Sequence, residues 1–491
     1  MFIFKIVIHH MYKIFFIHIK VSLILVLLFP SELFSQQQEC FLLMVGKDAS
    51  TNGQVLLAHN NDLSGTEASM LIKVSVNEKI NILPDSSDSF NKRYEMLVLQ
   101  TNIGFAEGDA VALNQHGVAI AGGLALKRDR NSNAEKIDPL VQSGLGGGVR
   151  YYALQHAKTA RECVKIIGKC YNEFGIKYPS GVGVADTNEI WYMEVGGGHS
   201  WAAVRIPNDC YFVGANSYRI GKIDFNDTAN FICSPNLIDI CEEYDLWDKS
   251  IRGFNFRDFF GNGVKEKMGN NYYNTRRLWR AIDILNPSIQ LSSEEDSFPL
   301  FNQPEEKIDL QNCFTVLRDY YSGTPFDIFK NENLNNPERS IAVWKCVHTD
   351  VITLSPGKPV DYGSVLWTGL SSPFTAIYTP IYFGSKTIPS RFDLAPTDFD
   401  NNSAFWIFKN LGDLCKSEYP TKMKDWNELR NQFESNEIEK QEIIISEAEK
   451  IKIKYPDQLS NYLENRSEEF AFKAMKLASD MIDSFKLKNE K

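Results

Sequence analysis

No Cys-x-x-Cys pair occurs among the nine cysteines, so a zinc site of the finger or ribbon kind has no ligand framework. There is no surplus of positive charge either. Lys and Arg number 52 against 62 Asp and Glu, a formal net charge of -10 with His neutral. The longest Lys-bearing runs, such as Lys450 to Lys454, alternate with Ile. Phosphate backbones are held by clustered Lys and Arg, so nucleic acid is not an expected partner. No internal repeat stands out, and beyond the N-terminus no apolar stretch approaches the ~20 residues that cross a bilayer. What is present is ordinary globular material: 43 % hydrophobic and 23 % charged residues, which excludes a disordered chain. Its 491 residues are enough to bury a large core.

The N-terminus has the layout of an export signal. Met1 to Lys20 mixes apolar residues with Lys5, Lys13 and Lys20; Val21 to Phe29 is uncharged; Pro30 ends it; Ser31 to Gln36 is short and polar-to-small. This is the order of basic, apolar and cleavage regions in a secretory signal, with the cut expected after Ser35. Met11 would make a more compact start. The competing reading, a membrane anchor over Ile14 to Phe34, is divided by Lys20 into pieces short for a bilayer. Export would place the protein in a periplasmic or extracellular setting, where disulfides can form. Cys163 and Cys170, however, sit two helical turns apart, about 10 Å at 1.5 Å per residue, and are not expected to bond to each other.

In the rest of the chain, Cys40 to Val45 reads as a buried strand. Gly46 to Gly53 is a turn in which Asn52-Gly53 is the strongest signal, and Gln54 to Ala58 returns as the neighbouring strand. That pairing brings Cys40 and Asp62 toward one end. Further strands are expected at Met70–Val76, Tyr94–Thr101, Ala110–Leu113, Gly117–Ala121, Gly181–Ala185, Glu189–Val195, Trp201–Ile206, Cys210–Val213, Ser340–His348 and Gly363–Leu370. Helices are expected at Thr159–Phe174, Thr275–Ile284 and Asn312–Tyr321. Ser371 to Pro396 reads as ordered loops. The remainder from about residue 403 reads as helical with breaks at Pro420 and Pro456. Its stripe of Phe470, Met475, Leu477, Ala478, Met481, Ile482 and Phe485 is a face for packing on the core. Strands flanked by helices predict an α+β molecule of layered sheets covered by helices.

By chemistry alone, Cys40 is a cysteine that opens a strand, and free cysteines are often buried. Its surroundings add more. Cys40-Phe-Leu-Leu-Met-Val-Gly-Lys-Asp-Ala-Ser-Thr-Asn-Gly, followed by His59-Asn-Asn-Asp62, resembles the opening of the dipeptidase A family of cysteine peptidases, in the N-terminal-nucleophile hydrolase superfamily. The likeness continues in order through Ala157-Lys-Thr-Ala-Arg-Glu162, Ile190-Trp-Tyr-Met-Glu194, Gly197-Gly-His-Ser-Trp201, Ala215-Asn-Ser-Tyr-Arg-Ile220, Tyr273-Asn-Thr-Arg-Arg-Leu-Trp-Arg280, Tyr321-Ser-Gly-Thr-Pro-Phe-Asp327 and Leu366-Trp-Thr-Gly-Leu370.

The resemblance implies a four-layer αββα fold with two stacked, mostly antiparallel sheets. It implies a single catalytic domain over residues 40–491, with its C-terminal helical region from about 403. The signal would occupy 1–35 and a pro-segment 36–39, removed autocatalytically to free Cys40 as the nucleophile. Asn216 is implied as the oxyanion donor and Asp62 as the group that orients the new α-ammonium. Arg219 is a candidate to bind a substrate carboxylate or brace Asp62. His59 departs from the family, which often carries arginine there; it is assigned to the substrate side of the site. Glu194 and His199 read as structural or rim residues and not as a zinc pair. No metal or other cofactor is expected. The expected substrate is a dipeptide or small amide, with no stable membrane insertion after signal removal and with homo-oligomers left open. An acylase of the penicillin or bile-salt type, or an inactive binding protein on the same fold, are the alternatives.

Overall fold

The computed structural model describes residues 40–489 except 64, 66, 84–89, 91, 106–109, 127, 129–132, 247–252, 262–271, 296, 331–338 and 417–420. The expected signal and pro-segment therefore lie outside the described residues, as does the expected break at Pro420. The described residues form one compact unit. No described helix is long and apolar enough to cross a membrane.

The first hairpin pairs β1 (Phe41–Val45) with β2 (Val55–Asp62), Val45 lying opposite Leu56 and Phe41 opposite Asn60. Its connection runs from residue 46 to 54 and ends on Asn52-Gly53, where Gly53 takes φ 66°, a conformation open to glycine. A meander follows: β3 (Ser69–Val74), β4 (Met96–Thr101), β5 (Ala110–Asn114) and β6 (Ala119–Ala125). Helices Val149–His156 and Ala160–Phe174 come next. Thr159 caps the second by accepting from Glu162 N, and Gly175 closes it. Then come β7 (Ser180–Ala185), β8 (Ile190–Val195), β9 (Trp201–Ile206) and β10 (Tyr211–Gly214). The short strands β11 (Lys222–Asp224), β12 (Phe231–Cys233) and β13 (Gly253–Asn255) follow. The last strands are β14 (Cys346–Leu354), β15 (Ser364–Leu370) and β16 (Thr379–Tyr382).

Among the described residues these form a six-stranded sheet in the order β10-β1-β2-β14-β15-β16 and an eight-stranded sheet in the order β12-β9-β8-β7-β6-β5-β4-β3, with β11-β13 apart. The named pairings are antiparallel. Side chains alternate across a strand, and both faces of both sheets are used. Leu42, Met44, Val55 and Leu57 meet Leu97, Leu113, Ala121 and Tyr192 between the sheets. Phe41, Leu43, Leu56 and Ala58 pack outward against helices Thr275–Leu285 and Leu310–Leu317. Val98, Ile120 and Trp191 pack outward against the helices of residues 149–174. The layers thus run helix, sheet, sheet, helix, as the family resemblance implies.

The C-terminal helices Ala404–Lys416, Thr421–Lys454 and Leu459–Asn489 follow, the first and last packing on β15 and β16, with a 3-10 turn at Pro456–Gln458 where proline interrupts the ladder. Phe470, Met475, Ala478, Met481, Ile482 and Phe485 are buried and Leu477 is partly so. The long middle helix is tied down by Glu434, which takes both Arg318 nitrogens at 2.7 Å and the Tyr378 amide at 2.8 Å.

Two expectations shift. The strand expected at Ser340–His348 lies at Cys346–Leu354. The stretch read as loops after Ser371 contains β16, whose Pro380 is tolerated because β16 is the edge of its sheet. None of the nine cysteines is in a disulfide, Cys163 and Cys170 included.

Candidate functional site

Cys40 directly precedes β1 and is fully buried, its side chain in the apolar layer between the two sheets. The residue that grips its backbone is Arg277, from the outer helix Thr275–Leu285. One Arg277 nitrogen donates to the Cys40 carbonyl at 3.0 Å. The other donates to Asn216 Oδ1 at 2.9 Å and Asn274 Oδ1 at 2.6 Å. Asn274 in turn donates to the Asn216 carbonyl at 3.0 Å, and Asn216 Nδ2 donates to the Ala125 carbonyl at 3.0 Å. Asn216 is thus oriented from both ends of its amide, just past β10, the strand that pairs with β1. Guanidinium suits this work because its planar fork serves several acceptors at fixed angles.

The alternation of β2 divides His59-Asn-Asn-Asp62 between two faces. Asn60 turns outward, donating to the carbonyls of Leu317 at 2.9 Å and Ile341 at 3.0 Å. Asp62 shares that parity. One of its oxygens binds Arg339 at 2.5 Å, and Cys346 lies opposite it in the β2–β14 register. Among the described residues no nitrogen or oxygen donor reaches the other oxygen, Oδ1, although it is buried; burial and this carboxylate together push the neighbouring Cys346 thiol well up. Burial pushes the Asp62 pKa up against the pull of Arg339, Arg277 and Lys345. The carboxylate is therefore a poorly compensated acceptor within the field of the arginine that holds Cys40.

His59 and Asn61 point the other way, into the layer that holds the Cys40 sulfur. Cys40 Sγ approaches Asn61 Oδ1 at 3.9 Å, long even for a thiol. Asn61 Nδ2 meets His348 Nε2 at 2.8 Å. His348 Nδ1 and His59 Nδ1 both face Asp350 Oδ2, at 3.1 and 3.3 Å. All three members of that cluster are fully buried. Burial pushes the Asp350 pKa up, but hydrogen bonds from His348 and His59 outweigh it and hold the carboxyl below its ordinary value. Among the described residues this is a group whose donor atoms, within 4.8 Å of one another, could hold a metal ion. As it stands, it is one carboxylate oxygen shared by two imidazoles.

Arg219 is committed elsewhere. Its guanidinium donates to the carbonyls of Val213, Phe298 and Pro299 at 3.1, 3.1 and 2.6 Å, and burial lowers its pKa to about 10. The arginine on Asp62 is Arg339. Glu194 accepts from the amides of Arg219 at 2.6 Å and Ile220 at 3.0 Å, pinning the segment that carries Asn216. His199 hydrogen-bonds the Tyr171 carbonyl at 3.0 Å. Sequence reasoning passed over Arg277, Asn274, Arg339, Asn61, His348 and Asp350. Arg277 and Asn274 lie inside a quoted motif, and Asn61 inside the opening one. Arg339 and Asp350 carry no motif signal.

Sequence comparison relates this chain to known proteins. A family model described as Peptidase family C69 matches residues 39–432, starting one residue before Cys40. A probable dipeptidase of Salmonella dublin is 29 % identical over 372 residues, covering 73 % of this chain and 84 % of the relative. A probable dipeptidase of Latilactobacillus sakei is 25 % identical, covering 77 % and 81 %. A dipeptidase of Bifidobacterium longum is 27 % identical, covering 77 % and 78 %.

Proposed function

Because the chain belongs to peptidase family C69, we propose that it is an exported cysteine dipeptidase whose nucleophile is Cys40, freed as the first residue when the segment before it is removed. The observation that carries this reading is the Arg277 fork, which ties the Cys40 carbonyl to Asn216 Oδ1 across the β1–β10 edge. A start of the family match at residue 39 supports the same boundary.

Before cleavage the Cys40 nitrogen is an amide and has no basicity. Afterwards it is an α-amine of ordinary pKa about 7.7 to 8.0, matched to a thiol near 8.5. The amine takes the thiol proton, and the sulfur attacks the substrate carbonyl. The Asn216 amide, fixed by Arg277 and Ala125, would face the developing oxyanion. The ammonium then gives its proton to the leaving nitrogen, and water hydrolyses the thioester. Asp62 Oδ1 is a buried acceptor of the kind that would orient the ammonium. Arg277, a permanent cation on the Cys40 carbonyl, adds a fixed positive charge beside the reacting group.

The test is Cys40→Ser, assayed against dipeptides and acyl-amides on the mature chain. Turnover should drop by about two orders of magnitude or more, as expected when a covalent nucleophile is removed. Wild-type turnover by that variant would remove Cys40 from the mechanism. A panel in which only acyl-amides are cleaved would replace the dipeptide substrate.

A further inference from the structure

The polar residues behind the sulfur form one continuous line: Cys40, Asn61, His348, Asp350 and His59. We propose that Asp350 and His348 act on the nucleophile through Asn61, by holding its amide oxygen, and not its amide nitrogen, against the Cys40 sulfur. The inference rests on Cys40 being the nucleophile.

Each link constrains the next. Ionised Asp350 is an acceptor only, so each imidazole facing it must offer N–H from Nδ1. An imidazole with its proton on Nδ1 alone has a lone pair on Nε2 and accepts there. Asn61 presents Nδ2 to it, at 2.8 Å. The amide is planar, so Oδ1 then lies on the opposite side, toward Cys40 Sγ at 3.9 Å. His59 supplies the second N–H that keeps Asp350 ionised. The register of β2 against β14, Asn61 opposite His348 and His59 opposite Asp350, builds the line into the sheet.

The chemical consequence follows from what an amide oxygen can do. It accepts the S–H proton of the resting thiol but offers nothing to a thiolate. The proton stays on sulfur until the α-amine takes it. The thiolate pair, without a hydrogen bond from Asn61, then forms the S–C bond to the substrate carbonyl. A less stabilised thiolate is the stronger nucleophile. Asn61, His348 and Asp350 are positioning residues in this scheme; none touches the substrate.

Asp350→Asn removes the demand for N–H at His348 Nδ1 and lets the Asn61 amide turn its nitrogen to the sulfur. His348→Asn keeps a donor to Asp350 near the Nδ1 position but removes the Nε2 acceptor, and it serves the same comparison if Asp350→Asn does not fold. The readout is the pH midpoint of Cys40 alkylation by iodoacetamide in the mature protein, followed on the Cys40 peptide by mass spectrometry. The midpoint is a property of thiol and amine together. Both variants should lower it by about one pH unit, a tenfold change in proton affinity. Above both midpoints, where the thiolate is fully formed, kcat in the same variants should fall about threefold with KM little changed, the loss a Brønsted slope of roughly 0.4 to 0.5 assigns to one pH unit.

The deciding step is the same substitution on an Asn61→Leu background, where neither change should move the midpoint further. An unchanged midpoint in the single variants overturns the proposal, and so does a shift that persists undiminished with Leu at position 61. Alkylation reads the sulfur directly. Failure here is therefore distinct from failure of the nucleophile assignment, which the Cys40→Ser assay decides.

Discussion

Glu194 gives a stability test whose sign and size both come from the structure. Its carboxyl is fully buried and accepts the main-chain N–H groups of Arg219 and Ile220 at 2.6 and 3.0 Å. Burial raises its pKa from 4.5 to about 7, against the pull of those hydrogen bonds. In the unfolded chain it titrates near its ordinary value. The folded state therefore holds this proton more tightly than the unfolded one, and stability from this group is complete below pH 4.5 and lost as pH rises through 7. A rise of this extent corresponds to roughly 3 kcal/mol at about 1.4 kcal/mol per tenfold change in proton affinity. Glu194→Gln removes the linkage. It also sets an amide nitrogen against one of the two N–H donors, a constant penalty of about 1 to 3 kcal/mol. Urea unfolding of both proteins at pH 4.5 and pH 7.5 separates the two effects. The wild-type advantage should shrink by about 3 kcal/mol between those pH values. A difference that is the same at both would refute the reasoning, because it would mean that Glu194 is ionised in the folded state throughout.

Three further outcomes follow from named contacts. Arg277→Lys keeps the charge but cannot serve Cys40, Asn216 and Asn274 together. With charge-assisted bonds worth roughly 1.5 to 3 kcal/mol each, kcat/KM should fall at least about tenfold in steady-state assays, while the melting temperature shows the fold retained. Glu434→Ala leaves Arg318 buried without its carboxylate. It should destabilise the protein by about 3 to 5 kcal/mol in urea, with activity per folded molecule little changed, since the pair anchors a helix and not the site. Arg339→Met strips Asp62 of its nearest cation. Because burial already raises this carboxyl, the acid limb of the pH–rate profile should move to higher pH; an unmoved limb would detach Asp62 from the reaction.

The legible parts of this molecule were those where one face is apolar and the turn residues are strict. The β1–β2 hairpin, the meander up to β10 and the helix Ala160–Phe174 show alternation or a 3.6-residue stripe, broken by Asn-Gly, Gly or Pro. The strand β14 was misplaced because Cys346-Val-His-Thr-Asp-Val-Ile-Thr-Leu354 puts His348 and Asp350 on the inner face, where an apolar residue is expected. Its alternation is hidden in the sequence for the reason that makes it interesting. β16 was hidden by Pro380, which only an edge strand accepts. As candidates for the site, Cys40, Asp62 and Asn216 could be named only through a family likeness, since nothing local distinguishes them from a core thiol and two turn residues. Arg277 was visible in a motif and in an expected helix but was assigned no role; its burial and its reach to Cys40 depend on packing between distant segments. Arg219, chosen for the chemistry of its side chain, proved to be spent on three main-chain carbonyls.

The most direct test of the account is the N-terminal residue of the chain that turns over substrate, read by intact mass and N-terminal sequencing of the active protein. The account predicts Cys40 as residue one, with full activity in that species. An active chain that still carries Gln36 to Glu39 ahead of Cys40 would leave its nitrogen an amide, and would contradict it.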